Sequence, residues 1–172
     1  MKAKIFHLGE RRRFERVVGG LRDDLYRYAM WLSRDPQVAE DVVQESLLRA
    51  WKGLDGLQDE SKARQWLVTI VRREFLRHRE RQREEPTDPV DLEAIAGDEV
   101  DPRVQDLQAA IFALDESYRE PLALQVLMGH STDEIAALLG MSQGAVLTRL
   151  HRAREKLKQA FLEDGTLDPE QS

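Results

Sequence analysis

Apolar residues recur along this chain at helical spacing nearly from end to end. Leu21, Leu25, Tyr28 and Leu32 form one such row, and Gly19-Gly20 separates it from a short basic start, Arg11 to Val18. Asp35-Pro36 reads as an N-cap followed by proline at the first helical position. The helix it opens carries Val38 through Trp51 and stops near Gly53. Ser61 reads as the cap of a third helix, with Ala63, Leu67, Ile70 and Phe75 on its inner face and a tail, His78 to Arg83, that is polar all round. After residues 84–101 the pattern restarts at Asp101-Pro102, again cap plus proline, with Val104, Leu107, Ile111 and Leu114 in a row. A helix from about Ser117 to Met128 ends at Gly129, and two more follow, Thr132–Leu139 and Ser142 to about Phe161. The tail 163–172 reads as frayed. No segment has a convincing period of two. The expected fold is all-α, with two small helical domains, 10–83 and 102–162, joined by a flexible acidic linker over 84–101.

Charge changes the picture. The 172 residues carry a net charge of −6, which taken alone speaks against a polyanion partner. The distribution reverses this. Residues 86–116 hold one basic and nine acidic side chains, and low hydrophobicity with Pro86 and Pro89 marks the linker as extended. Two basic stripes flank it. Lys62–Arg83 holds eight basic against two acidic side chains, and Arg149–Lys158 five against one. Both stripes suit a polyanion. The chain has no cysteine, which removes disulfides, thiolate metal sites and cysteine nucleophiles together. Neither a secretory signal nor a membrane-length apolar run is present, so a cytoplasmic protein is expected. The four histidines, His7, His78, His130 and His151, have no ligand spacing, and no glycine-rich phosphate loop occurs. No cofactor, metal, small-molecule substrate or enzymatic activity is expected.

The strongest local signal lies at residues 132–150. Two helices joined by a three-residue turn need a small residue where they touch and a glycine to end the first. Ala136 and Gly140 fill these places, while Ile135, Leu139, Met141 and Val146 fall where such a unit buries apolar groups. Ser142 is placed to cap the second helix, which buries Val146, Leu150, Ala153 and Leu157 and shows Gln143, Thr148, Arg149, His151, Arg152 and Lys156 on its other side. Arginine and glutamine at the front of such a helix reach base edges, and later basic residues suit phosphates. An ordinary helical hairpin with a solvated basic face remains the alternative at this point.

Two longer stretches carry a resemblance. One, Asp35 to Trp51, has the core Ala39-Glu40-Asp41-Val42-Val43-Gln44-Glu45. The other runs from Ser117 through the helix-turn-helix to the ending Arg149-Leu150-His151-Arg152-Ala153-Arg154. In this order, with a basic helix after the first and an acidic linker between, the chain resembles an extracytoplasmic-function sigma factor of the sigma-70 superfamily, over roughly residues 10–160.

The resemblance implies a promoter-specific initiation subunit whose partners are bacterial core RNA polymerase and promoter DNA, with an anti-sigma factor as a further partner in many members. It implies that the helix with Asp41, Gln44, Glu45 and Trp51 docks on the polymerase clamp. The residues themselves leave Asp41, Gln44, Glu45 and Arg49 as a polar face while Val43, Leu47 and Ala50 pack inward. Solvation of that face and core packing of Trp51 are the plainer readings. The next helix would recognise and melt the minus-ten element through Trp66, Thr69, Arg72, Arg73 and Arg77, because stacking and phosphate neutralisation hold an opened strand without ATP. The helix-turn-helix would read the minus-thirty-five element through Gln143, Thr148, Arg149, His151 and Arg152. The linker would thread the polymerase channels, its acidic groups imitating a nucleic-acid path.

The chain also departs from the family pattern. Many members have asparagine at the place of Arg73 and aspartate at that of Arg77, and Leu147 stands where a basic residue is frequent. Promoter sequence therefore does not carry over, and Leu147 suits a thymine methyl instead. Two rivals remain. A stand-alone helix-turn-helix regulator would bind DNA without polymerase, and an anti-sigma or adaptor protein would use the same helices for protein contacts only.

Overall fold

The computed structural model describes residues 2–84 and 101–163, with side chains over 8–83 and 101–162. The linker reading over 85–100 and the tail beyond 163 lie outside the described residues. The chain divides into two compact units, one up to residue 90 and one from residue 91. The described residues are helical, with no strand among them.

The N-terminal unit holds α1 (Lys2–Val18), α2 (Arg22–Ser33), α3 (Pro36–Lys52) and α4 (Ala63–Glu84), with two 3₁₀ turns, Leu54–Gly56 and Glu60–Lys62, before α4. Three helices, α2, α3 and α4, pack on one another around Leu25, Tyr28, Ala39, Val42, Leu67, Val68 and Val71, all buried. The expected cap works: the Asp35 carboxylate accepts from the backbone N–H groups of Gln37 and Val38 at 2.8 and 3.2 Å, with Pro36 at the first position. Immediately before it, Arg34 closes α2 in the left-handed region, φ 58°, the one non-glycine residue there among those described.

Four local expectations are corrected. First, the basic start is the end of a 17-residue helix rather than a short segment. Second, Asp59, not Ser61, supplies the cap before α4: its carboxylate accepts from the Ser61 backbone N–H and hydroxyl at 2.9 and 2.7 Å. Those two bonds, the hydroxyl's first, hold the Asp59 carboxyl below the usual carboxylate range. Third, Ile70 is only half-buried, and Val68 and Val71 take the inner positions. Fourth, Glu84, assigned to the linker, is the last residue of α4.

The C-terminal unit holds α5 (Pro102–Ala113), α6 (Glu116–Val126), α7 (Thr132–Leu139) and α8 (Gln143–Glu163). Its core gathers Leu122, Leu124, Met128, Ile135, Val146, Leu150 and Ala153. Asp101 caps α5 by accepting from the Arg103 N–H at 2.9 Å. The far end of α5 is closed by a buried cation: Arg119 of α6 donates to the carbonyls of Phe112 and Leu114. Expected in the core row, Val104 and Leu107 instead stand exposed near the start of α5, and burial begins at Ile111 and Phe112.

Candidate nucleic-acid interface

Helix α7 begins with a capping box. The Ser131 hydroxyl accepts from the Glu134 backbone N–H at 3.3 Å, and the Glu134 carboxylate accepts from the Ser131 N–H at 2.8 Å. That second bond is the main reason the Glu134 carboxyl sits below its usual range. Gly140 ends the helix at φ 66°, and the Met141 N–H turns back to the Ala136 carbonyl at 3.0 Å. The Ser142 hydroxyl then accepts from the Ala145 N–H at 3.2 Å and starts α8. The two helices lock through Ile135, Val146 and Leu150, while Leu139, Met141 and Leu157 are half-buried.

At about 100° per residue, the buried row of α8 leaves Leu147, Thr148, His151 and Arg152 together on the opposite side, all exposed. Arg149 lies on the flank, half-buried. Gln143 is exposed, but its amide donates to the Thr132 hydroxyl at 3.2 Å and ties the starts of α8 and α7 together. Two cations of the stripe turn elsewhere: Arg154 donates to the Gln125 side chain, and the Lys156 ammonium stands 5.8 Å over the Tyr118 ring. Lys156 therefore leaves the outer face on which the sequence pattern placed it.

In the N-terminal unit, the same arithmetic puts Trp66, Thr69, Arg73 and Arg77 in one row along α4, with Arg72 to the side. Trp66 is half-buried, its ring edge 3.8 Å from where a Cβ on Gly53 would sit. Thr69 donates to the Gln65 carbonyl at 2.9 Å. Arg73 is exposed and Arg72 half-buried. Arg77 is half-exposed and paired, its guanidinium 2.6 Å from Glu74 Oε1.

On α3, Asp41 and Gln44 are exposed and Glu45 half-exposed, one face with Leu48 in its middle at 57% exposure. Leu47, expected inside, is half-buried. Trp51 is 38% exposed at the edge of this face, its ring edge-on to Phe14 of α1. Trp51 thus packs on one side and stays open on the other. The second 3₁₀ turn before α4 also fastens α1: Glu60 pairs with Arg13 and Arg16 at 3.2 and 3.3 Å, and Arg13 donates to the Leu57 carbonyl. Those arginines, Arg16 first, hold the Glu60 carboxyl low.

The sequence reading missed Glu74. It is 2% exposed, and its Oε1 lies 2.7 Å from the Arg49 guanidinium and accepts from Arg77, while Oε2 has no hydrogen-bond partner. Arg49 in turn lies 3.2 Å from Glu45. A signal was present: Leu67, Val71 and Glu74 follow one another at spacings of four and three, the inner row of α4.

The model of sigma-70 region 2 matches residues 17–85, and that of sigma-70 region 4 matches residues 105–157. The ECF RNA polymerase sigma factor EcfG of Rhodopseudomonas palustris (strain TIE-1) is 33% identical over 164 residues, covering 88% of this chain and 91% of that protein. The ECF RNA polymerase sigma factor SigL of Mycobacterium tuberculosis (strain ATCC 25618 / H37Rv) is 36% identical over 149 residues, covering 82% and 84%. Among solved structures, the sigma factor RpoE of Bartonella quintana, crystallised with the anti-sigma factor NepR, superposes with a TM-score of 0.73 at 31% identity, covering 87% of this chain and 96% of that one. CnrH in complex with the cytosolic domain of CnrY gives 0.62 at 29%, covering 90% of each. Motifs at both ends of the chain, its two helical units and relatives matched along nearly their whole length agree, and the chain belongs to the extracytoplasmic-function sigma factors of the sigma-70 superfamily.

Proposed function

We propose that the chain performs the family's work, promoter-specific transcription initiation with core RNA polymerase, through three separate side-chain faces. The α3 face, Asp41, Gln44 and Glu45 with Trp51 at its edge, docks on core polymerase. An exposed leucine amid carboxylates supports this, because Leu48 gives such a contact an apolar centre inside a polar rim. On α4, the row Trp66, Thr69, Arg73 and Arg77, flanked by Arg72, takes the minus-ten element. The half-buried Trp66 ring offers a surface on which an unstacked base rests, and the arginines neutralise the strand around it. Residues 10–84 make this domain and 102–162 the minus-thirty-five domain.

In the C-terminal unit the reader is the outer row of α8. Thr148, His151 and Arg152 enter the major groove with Leu147, while Arg149 approaches from the flank and Gln143 holds the helix start. The observation that carries the reading is that both stripes rich in arginine leave a row of side chains outside their packed rows, each in a unit matched to a sigma-70 region. The site of action is the cytoplasm, where the polymerase is. No described helix is long and apolar enough to cross a membrane. The solved relative RpoE was crystallised with the anti-sigma factor NepR, and a protein of that kind is proposed as a regulator here too.

Multi-round transcription tests the reading. Purified core polymerase, with and without the chain, is given fragmented DNA from the source organism. New transcripts with defined starts, absent with core alone, are expected. Failure of the chain to co-elute with core overturns the reading and leaves a stand-alone DNA-binding regulator.

A further inference from the structure

An ion chain crosses the N-terminal unit from one proposed face to the other. It runs Glu45–Arg49–Glu74–Arg77, with contacts of 3.2, 2.7 and 2.6 Å. Glu45 belongs to the acidic face of α3, and Arg77 to the outer row of α4. The middle of the chain is the buried carboxylate. Burying a carboxylate is costly unless its charge and both oxygens are satisfied. Here two guanidinium groups crowd onto Oε1 while Oε2 accepts nothing.

This imbalance leaves room for a second arrangement. A guanidinium is a fork whose paired donors fit both oxygens of one carboxylate. Arg49 is kept from that geometry because the same Nε also faces Glu45. A groove of about 470 Å³ opens between Asp41 and Glu45 on α3 and His78 and Arg81 on α4, with Glu74 in its wall. A basic side chain arriving there finds the carboxylates of Asp41 and Glu45 at its mouth, with Glu74 buried behind them.

We propose that Glu74 is a positioning residue that couples the polymerase face to the DNA face. In the free chain it holds Arg77. When a basic side chain of core polymerase neutralises Glu45, Arg49 turns onto both oxygens of Glu74, and Arg77 is released to a DNA phosphate. The inference rests on the reading that α3 meets polymerase and Arg77 meets DNA. It adds a residue that touches neither partner and a reason why contact with one favours contact with the other.

The test is binding of a labelled single-stranded thymidine oligonucleotide by the full chain, free and in holoenzyme, across a salt series. Glu74→Gln keeps the shape and removes the charge. It is expected to tighten binding by the free chain several-fold and to steepen the salt slope by about 0.7, one phosphate contact on a single strand. Adding Arg77→Gln is expected to cancel both changes. A folded Glu74→Gln chain that binds no tighter, or a gain that survives Arg77→Gln, overturns the proposal.

Arg49→Gln changes a half-exposed side chain and serves where Glu74→Gln does not fold. It removes the competitor for Glu74, so the holoenzyme loses as much affinity as with Arg77→Gln, and the two losses do not add. Additive losses overturn the coupling. If Arg77→Gln alone leaves the holoenzyme unchanged, the reading of Arg77 as a DNA contact fails, and the coupling with it. If Arg77→Gln weakens the holoenzyme while Glu74→Gln leaves the free chain unchanged, the coupling alone fails.

Discussion

The ring of Phe14 meets that of Trp51 edge-on, with centroids 5.2 Å apart and planes at 88°. One side of the tryptophan proposed for polymerase docking therefore serves as the joint between α1 and α3. Such an aromatic pair contributes about 1 kcal/mol beyond the area it buries. Phe14→Leu is expected to lower the urea midpoint correspondingly. Amide exchange should accelerate across residues 10–18 while α2 and α4 keep their protection. Equal acceleration in all four helices would show that the ring pair belongs to the common core instead.

The capping box of α7 sets a pH dependence whose sign follows from Glu134. Its carboxyl is held below the ordinary value by the Ser131 backbone N–H. A lowered folded-state pKa contributes stability that is fully present above the unfolded pKa and is lost as the pH falls through the folded one. Protection of the α7 amides should therefore decline on acidification below the ordinary glutamate value of 4.5. In Glu134→Gln that decline should be shallower. At neutral pH, Ser131→Ala should destabilise the helix by about 1 kcal/mol, the usual cost of a lost N-cap.

Gly140 separates steric from conformational cost. A Cβ added there meets no atom within 4 Å, yet its φ is +66°. Gly140→Ala should cost about 1 kcal/mol, all of it from the left-handed backbone. Gly140→Asn should recover most of the loss, since asparagine tolerates that region. Thermal melting of both variants checks this, and equal losses would count against a conformational origin.

Two arginines of α8 should behave oppositely although only one residue lies between them. Arg152 stands on the outer row, whereas Arg154 donates to Gln125 of α6. Arg152→Gln is expected to weaken promoter binding by the holoenzyme and, for a phosphate contact, to flatten its salt slope by about 0.9. If it reads a base instead, the slope holds and discrimination at one position falls by about 1–3 kcal/mol. Arg154→Gln should leave promoter binding unchanged. Titration of promoter duplex at several salt concentrations decides, and equal losses would contradict the assignment of the outer row.

Residues whose local chemistry needs no tertiary information were legible in the sequence. The caps Asp35 and Asp101, the stop at Gly140 and the span Thr132–Leu139 follow from hydrogen bonds to their own neighbours, and the structure has them where the sequence put them. What failed depended on partners distant in sequence. Val104 and Leu107 share an apolar row with Ile111, but periodicity cannot say how far along a helix its packing partner extends. Glu74 sits in an inner row, yet a carboxylate reads as surface until Arg49 from another helix is known to meet it. Of the outer rows, the residue types were readable, whereas the diversion of Lys156 to Tyr118 and of Gln143 to Thr132 was not.

Helix α4 carries its packing residues and its outward residues on one rigid rod of 22 residues. Leu67, Val68, Val71 and Phe75 determine whether the unit folds, and Thr69 and Arg73, on other sides of the same rod, take little part in that. The outward positions are therefore insulated from the requirement to fold. A lineage can retune what it recognises one side chain at a time without a compensating change inside. Arg77 is the exception. Paired with the buried Glu74, it answers to two partners at once, so drift in recognition has its least freedom where the rod's outer row is wired to the core.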